Sequence, residues 1–228
     1  MTRLWGALLS ALLLAGCAAA PAGDGPVARP QPPAGGSVPT AAQGQVDPRH
    51  VERLRRLLPP LLAAMNTPKS TSDVKVGIMT DRSINAANAG GGRFYVTLGL
   101  LEQASDEQLL AVLAHEVAHE DLGHVAKAQA LGAGINIAGA LLGSLFPGTQ
   151  AITPIAGTLV ARAYSRSEEY AADAHAVTLL TRVRHPAPAQ TIIRALEWIR
   201  QQSGPGGGGF LSTHPGTEER IQRLRRLA

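Results

Sequence analysis

The sequence predicts an α+β domain, mainly helical, with a small β component and a long helix that carries polar residues. Three observations predict it. Apolar residues recur at helical spacing over most of the chain from residue 47 onward. Only two short runs, 73–80 and 92–99, read as strands. Between these strands and the C-terminus lies "LAHEVAHEDLGH" (113–124), which puts three histidines and acids into an otherwise apolar helix. Buried polar groups are costly unless something pairs with them or binds them. At 228 residues the chain is long enough for one sizeable core with appendages.

The chain opens on "MTRLWGALLSALLLAGCAAA", with one early positive charge, Arg3, and an apolar run too short to span a bilayer comfortably. This reads as a secretory signal peptide over 1–16. Its ending, "LLAGC", resembles the lipobox of bacterial lipoproteins, which makes Cys17 the lipidated N-terminus of the mature chain. Cys17 is the single cysteine, so no intramolecular disulfide can form. Several acyl chains on it would anchor the protein stably to a membrane. By the same resemblance, Ala18 in place of an aspartate implies the outer membrane, on its periplasmic face. Residues 17–46 are rich in Pro, Gly and Ala and lack apolar periodicity, as in a disordered tether. Coil statistics give such a tether a reach on the order of 30 Å. The net charge is only +4, and the basic residues gather in two amphipathic segments, 49–56 and 220–226, without aromatic stacking partners. That pattern argues against nucleic acid as a partner.

The folded domain is expected over 47–228. Asp47 suits an N-cap and Pro48 a first helical position. Val51, Leu54, Leu58, Leu61 and Met65 follow at helical spacing, and Pro59-Pro60 should bend or break that helix. "DVKVGIMT" and "GRFYVTLG" are the strands, and the "NAANAGGG" between them allows at most a short edge strand. Ser105 and Gln108 form a capping box that starts a helix running without a breaker to Gly123. Residues 128–163 are Ala/Gly/Leu/Ile-rich around "FPG" and read as an apolar helical hairpin that packs on the domain or dips into the membrane. Neither arm holds a clean run of about 20 apolar residues, so a true span is not expected. Two further helices cover "SEEYAADAHAVTLLTRV" and "APAQTIIRALEWIRQQ". A glycine-rich loop (204–209), "FLSTHP" and a short basic helix complete the chain.

His115 and His119 stand four residues apart and project from one helix face, which suits two imidazole ligands to one metal. Glu116 between them can reach a metal-activated water without being a ligand. A hydrolytic zinc site needs a third protein ligand and an open position. His124 is one candidate, but Gly123 and His124 fall off the register of the metzincin arrangement, which suits a helix-end or supporting role. The other candidate is Glu169 in "YSRSEEYAAD", with Asp173 four residues on and facing the same way. Glu169 would complete a His-His-Glu set, and Asp173 would accept the far N–H of a ligand histidine. Ala172 and Ala176 keep that face small enough for close helix approach.

"HEVAH", then "SRSEEYAAD", then "STHPGTEERI" resembles the gluzincin family of zinc metallopeptidases that includes the HtpX-like membrane proteases and the CAAX prenyl endopeptidases, its bacterial lipoprotein members above all. The resemblance runs from about residue 47 to the end. It implies a gluzincin-type fold, with the sheet packed on the HExxH helix and a second helix bearing a ligand. It implies one Zn2+ per chain held by His115, His119 and Glu169, with Glu116 as general base and acid and Asp173 supporting a ligand histidine. His214 of "STHP" would approach the metal from the far side, either as a fourth ligand or to stabilise the oxyanion, with Arg220 in the same neighbourhood. Asn85-Ala86 match the family's substrate-pairing edge strand, but the aromatic residue that usually follows is missing here. The expected activity is zinc-dependent endopeptidase action on misfolded or other proteins of the envelope. The alternative is a non-catalytic envelope chaperone or assembly lipoprotein that keeps zinc structurally.

Overall fold

The structure is a computed structural model that describes residues 46–130, 163–204 and 208–228. The leader (1–16), Cys17 with nearly all of the tether (17–46), and almost all of the apolar hairpin (128–163) lie outside the described residues.

The first helix, α1 (Pro48–Ala63), starts where its cap predicts: the Asp47 carboxylate accepts the Arg49 N–H at 2.8 Å. Val51, Leu54, Leu58, Leu61 and Leu62 form its buried face. The helix does not break at Pro59-Pro60 but runs through both prolines. Prolines there remove the N–H groups that would otherwise bond the carbonyls of Arg55 and Arg56 one turn earlier. Both residues are exposed, so water can serve those carbonyls, while the buried leucines hold the inner face in the core.

A 3₁₀ turn (Thr71–Asp73) leads into β1 (Lys75–Met79), β2 (Ala86–Asn88) and β3 (Arg93–Thr97). The sheet order is β1-β3-β2, with β1 parallel and β2 antiparallel to β3. The short strand expected at an edge is β2, paired Ala86 to Val96, Ala87 to Tyr95 and Asn88 to Phe94.

The second predicted strand ends two residues early, because Thr97 caps a helix. Its Oγ1 accepts the Leu100 N–H at 3.2 Å and opens α2 (Leu98–Gln103). Gly99 sits in that turn against the Arg82 carbonyl, where an added Cβ would lie 2.1 Å from the oxygen. No larger residue fits without moving backbone.

The longest apolar burial falls on α3 (Asp106–Asp121), opened by the Ser105–Gln108 capping box and ended before Gly123, where α4 (His124–Ala130) begins. Then come α5 (Arg166–Arg182), α6 (Pro188–Ser203), the single turn α7 (Phe210–Thr213) and α8 (Thr217–Leu224). Helix α3 is central, packing against α1, α5, α6 and β2. Its apolar positions join those of α1, the sheet, α5 and α6 in one core. Ala172 and Ala176, both fully buried, let α5 approach α3 closely. Two acids one turn apart on α3 tie the sheet down: Glu116 Oε2 accepts the Asn88 N–H at 2.7 Å and Glu120 Oε1 the Gly92 N–H at 2.8 Å. Among the described residues no helix is long and apolar enough to cross a membrane.

Candidate metal centre

Two helices far apart in sequence face each other across this site, and each begins with a capping box, Ser105–Gln108 on α3 and Ser165–Glu168 on α5. From α3 come His115, Glu116 and His119; from α5 come Glu169 and Asp173. His214 follows α7, and Arg220 projects from α8. All seven side chains are buried.

The donor atoms converge. His115 Nε2 and His119 Nε2 lie 3.1 Å apart. Glu169 Oε2 lies 3.4 Å from His115 Nε2, and Glu169 Oε1 lies 3.3 Å from His119 Nε2. His214 Nδ1 stands 3.2 Å from His115 Nε2 and 3.0 Å from Glu169 Oε1. A tetrahedral zinc with bonds near 2.0–2.1 Å separates its ligand atoms by about 3.3 Å. The spacing of these four groups fits one such ion.

Charge balance makes the same case. Glu116, Glu169 and Asp173 bring three carboxylates, and Arg220 brings one cation. With neutral imidazoles the pocket is two charges negative, which one divalent cation neutralises. The imbalance shows in the titrating groups. Burial alone would depress His214, yet the carboxylates of Glu169 and Glu116 raise it to about 9. Burial works against the charged form of Glu169 too, but His214, Arg220 and His115 hold its carboxyl far below the usual range. His119 is depressed to about 3, chiefly by burial, and so stays in the neutral form that binds metal. Glu116 Oε1 and His214 Nε2 face each other at 3.2 Å without an aligned hydrogen bond, and Glu169 Oε2 has only charged neighbours, Arg220 Nη1 and His115 Nε2. Groups held this way keep lone-pair capacity for a ligand.

A second ring of contacts orients the first. Arg220 donates to both oxygens of Asp173 at 2.7 Å, and its Nη1 lies 2.6 Å from Glu169 Oε2. Asp173 Oδ1 is also 3.1 Å from His115 Nδ1. Burial opposes ionisation of Asp173, but Arg220 and His115 lower its carboxyl to about 2. His124 Nδ1 lies 2.9 Å from His119 Nδ1, a supporting contact rather than a place among the convergent donors. Tyr164 stacks on the His119 ring at 3.8 Å, and Phe210 on His214 at 4.0 Å. The α7 turn that carries His214 is pinned by Phe210 N–H to the Ile84 carbonyl at 2.9 Å. Gly209 makes that approach with φ +63, where a Cβ would lie 2.7 Å from the same oxygen.

Asn85 and Ala86 sit at the start of β2. The Asn85 Oδ1 accepts the N–H of Ala86 at 2.9 Å, so the carboxamide is turned onto its own strand edge. Sequence reasoning placed Arg220 only in the neighbourhood and passed over Tyr164 and Asn88. The position of Tyr164 just before the α5 cap, within the "YSRSEEYAAD" motif, is a usable signal; nothing in the periodicity marks Asn88.

A helix bearing HExxH, a facing helix bearing Glu169, and a small sheet laced to the first define a metallopeptidase of gluzincin type. Residues 48–228 match the model of peptidase family M48, and the chain belongs to that family. It is 26% identical over 191 residues to the metalloprotease LoiP of Escherichia coli, covering 81% of this chain and 74% of LoiP. It is also 30% identical over 177 residues to the protease HtpX homolog of Persephonella marina and over 174 residues to that of Burkholderia thailandensis. Those matches cover 58% of this chain and 60% and 59% of the two homologs.

Proposed function

We propose that the protein is a zinc-dependent endopeptidase tethered to the bacterial cell envelope, and that it cuts misfolded or other envelope proteins. The observation that carries this reading is the convergence of His115, His119 and Glu169 beside a buried carboxylate, Glu116, that is not needed to complete the donor set. When bound, the zinc supplies Lewis acidity, which lowers the pKa of water to about 7 and polarises a carbonyl.

The chain's own residues do the rest. Glu116 takes the proton from the attacking water and returns it to the leaving amine nitrogen. The Asn88 N–H holds Glu116 Oε2, leaving Oε1 turned toward His214 Nε2. Asp173 and His124 hold the far nitrogens of His115 and His119, fixing each ring's tautomer and orientation. Arg220 keeps Asp173 and Glu169 ionised and in place. With the protein folded as here the cluster is closed to solvent, so a peptide enters after this arrangement opens. Asn85 and Ala86, at the start of β2 and buried in this arrangement, would then offer backbone groups for strand addition by that peptide.

The decisive variant is Glu116→Gln. Zinc content and the unfolding curve should match wild type, while kcat on a protein substrate such as casein falls by about 10²–10⁴-fold. Wild-type activity in that variant would remove Glu116 from the mechanism.

One observation favours a second reading. His214 Nδ1 stands among the other three donors, and a closed set of four protein ligands is the habit of structural zinc. A zinc-loaded protein without chelator-sensitive casein degradation would point to a non-catalytic chaperone or assembly lipoprotein.

The envelope location rests on the leader and on Cys17, which we take as the lipidation site that anchors the domain to the outer membrane facing the periplasm. Cys17→Ser should move the protein from the membrane fraction to the soluble fraction. Retention in the membrane would discount the anchor.

A further inference from the structure

A second polar contact joins α3 to α5 away from the metal cluster. His175 Nε2 lies 2.7 Å from Asp121 Oδ2. The Asp121 side chain is buried and that of His175 nearly so. Asp121 Oδ2 also accepts the Asn66 N–H at 2.6 Å, and Oδ1 the Thr67 N–H at 3.2 Å. A carboxylate can only accept, so His175 is the donor, with a proton on Nε2. One acid at the end of α3 thus holds both α5 and the turn that follows α1. Arg182, the last residue of α5, grips the same turn through the Ala64 carbonyl at 2.7 Å and Asn66 Oδ1 at 2.9 Å.

The pair stands where it can set the geometry of the metal site. Asp121 follows His119 by two residues and His175 follows Asp173 by two, a rotation of about 200° around each helix. It therefore braces the contact between α3 and α5 on a flank other than the one that carries the ligands. Ala172 and Ala176, fully buried there, let the helices come close but give few projections to fix their relative rotation. The zinc ligands are divided across this same contact, His115 and His119 on α3 and Glu169 on α5. Any rotation of α5 moves the Glu169 carboxylate relative to both imidazoles.

We propose that His175 is a positioning residue for the metal centre: through Asp121 it holds α5 at the rotation that sets Glu169 against His115 and His119. This rests on the zinc reading of the cluster. His175 acts through the placement of a helix, not through contact with the ion.

The test compares wild type with His175→Leu, which removes the donor and keeps side-chain bulk, and with His175→Gln, whose amide N–H can reach the same oxygen. Urea unfolding of the metal-free proteins establishes that each is folded under the assay conditions. Zinc affinity is then read by chelator competition, and ligand geometry by the visible absorption of the cobalt(II)-substituted proteins. His175→Leu should bind zinc about 10-fold more weakly and show an altered cobalt absorption. His175→Gln should return both toward wild type. Should His175→Leu fail to fold, His175→Ala, which sets less apolar bulk beside the carboxylate, carries the same expectations. The zinc affinity of a folded, metal-free protein does not depend on its margin over the unfolded state. A merely structural His175 would therefore lower the urea midpoint and leave affinity and absorption as in wild type, and that result overturns the proposal alone. A wild-type protein that binds no zinc overturns the zinc reading and this proposal with it.

Discussion

His124 shows how far one side chain's role depends on three dimensions. Its offset from His119 argues against a ligand, and the structure gives it a contact with the far nitrogen of His119 instead. For His119 to bind a metal through Nε2, its Nδ1 must carry the proton and His124 Nδ1 must accept it. Removing the acceptor in His124→Ala should weaken zinc binding by about 10–100-fold, read by chelator competition. His124→Asn, which can offer a carbonyl oxygen, should recover part of the loss; unchanged affinity in the alanine variant would assign His124 to the helix end alone. His115, Glu116, His119, Glu169 and Asp173 were legible because two i, i+4 pairs on capped helices carry chemistry that a solvated face does not need. Arg220 was placed near the site only through the family resemblance, and Tyr164 and Asn88 were passed over, since each acts through a partner distant in sequence.

At the scale of elements, capping and periodicity placed α1, α3, α5, α6 and both long strands close to where they lie. The misses have local causes. Pro59-Pro60 overruled neither the buried leucines nor the exposed carbonyls before them, and Thr97 turned a strand end into the cap of α2. The junction of α1 with α3 carries a pH signature. Asp106, first residue of α3, accepts Arg53 Nε at 2.7 Å and Arg56 Nη2. The hydrogen bond from Arg56 outweighs the opposing effect of burial and, with that from Arg53, holds its carboxyl below the ordinary 3.8. A carboxyl depressed on folding adds stability that is fully present above its unfolded value and disappears as pH falls through the folded one. The gap in urea midpoint between wild type and Asp106→Asn should therefore hold steady from neutral pH down to about pH 4, then close in stronger acid. A gap independent of pH throughout would leave the Asp106 pairs without a role in stability.

On the scale of the whole molecule, the core serves to bring α3 and α5 side by side with small residues between them, and so sets two histidines against a glutamate from another part of the chain. A bound divalent cation offsets the negative charge of this buried cluster without protons on His214 and His115, which the neighbouring carboxylates otherwise pull toward the charged form. Anomalous diffraction at the zinc edge from crystals of the purified protein tests that most directly. The account predicts one peak per chain, about 2.0–2.2 Å from His115 Nε2, His119 Nε2 and a Glu169 oxygen. A zinc bound elsewhere, or a folded protein with this pocket free of metal, would contradict it.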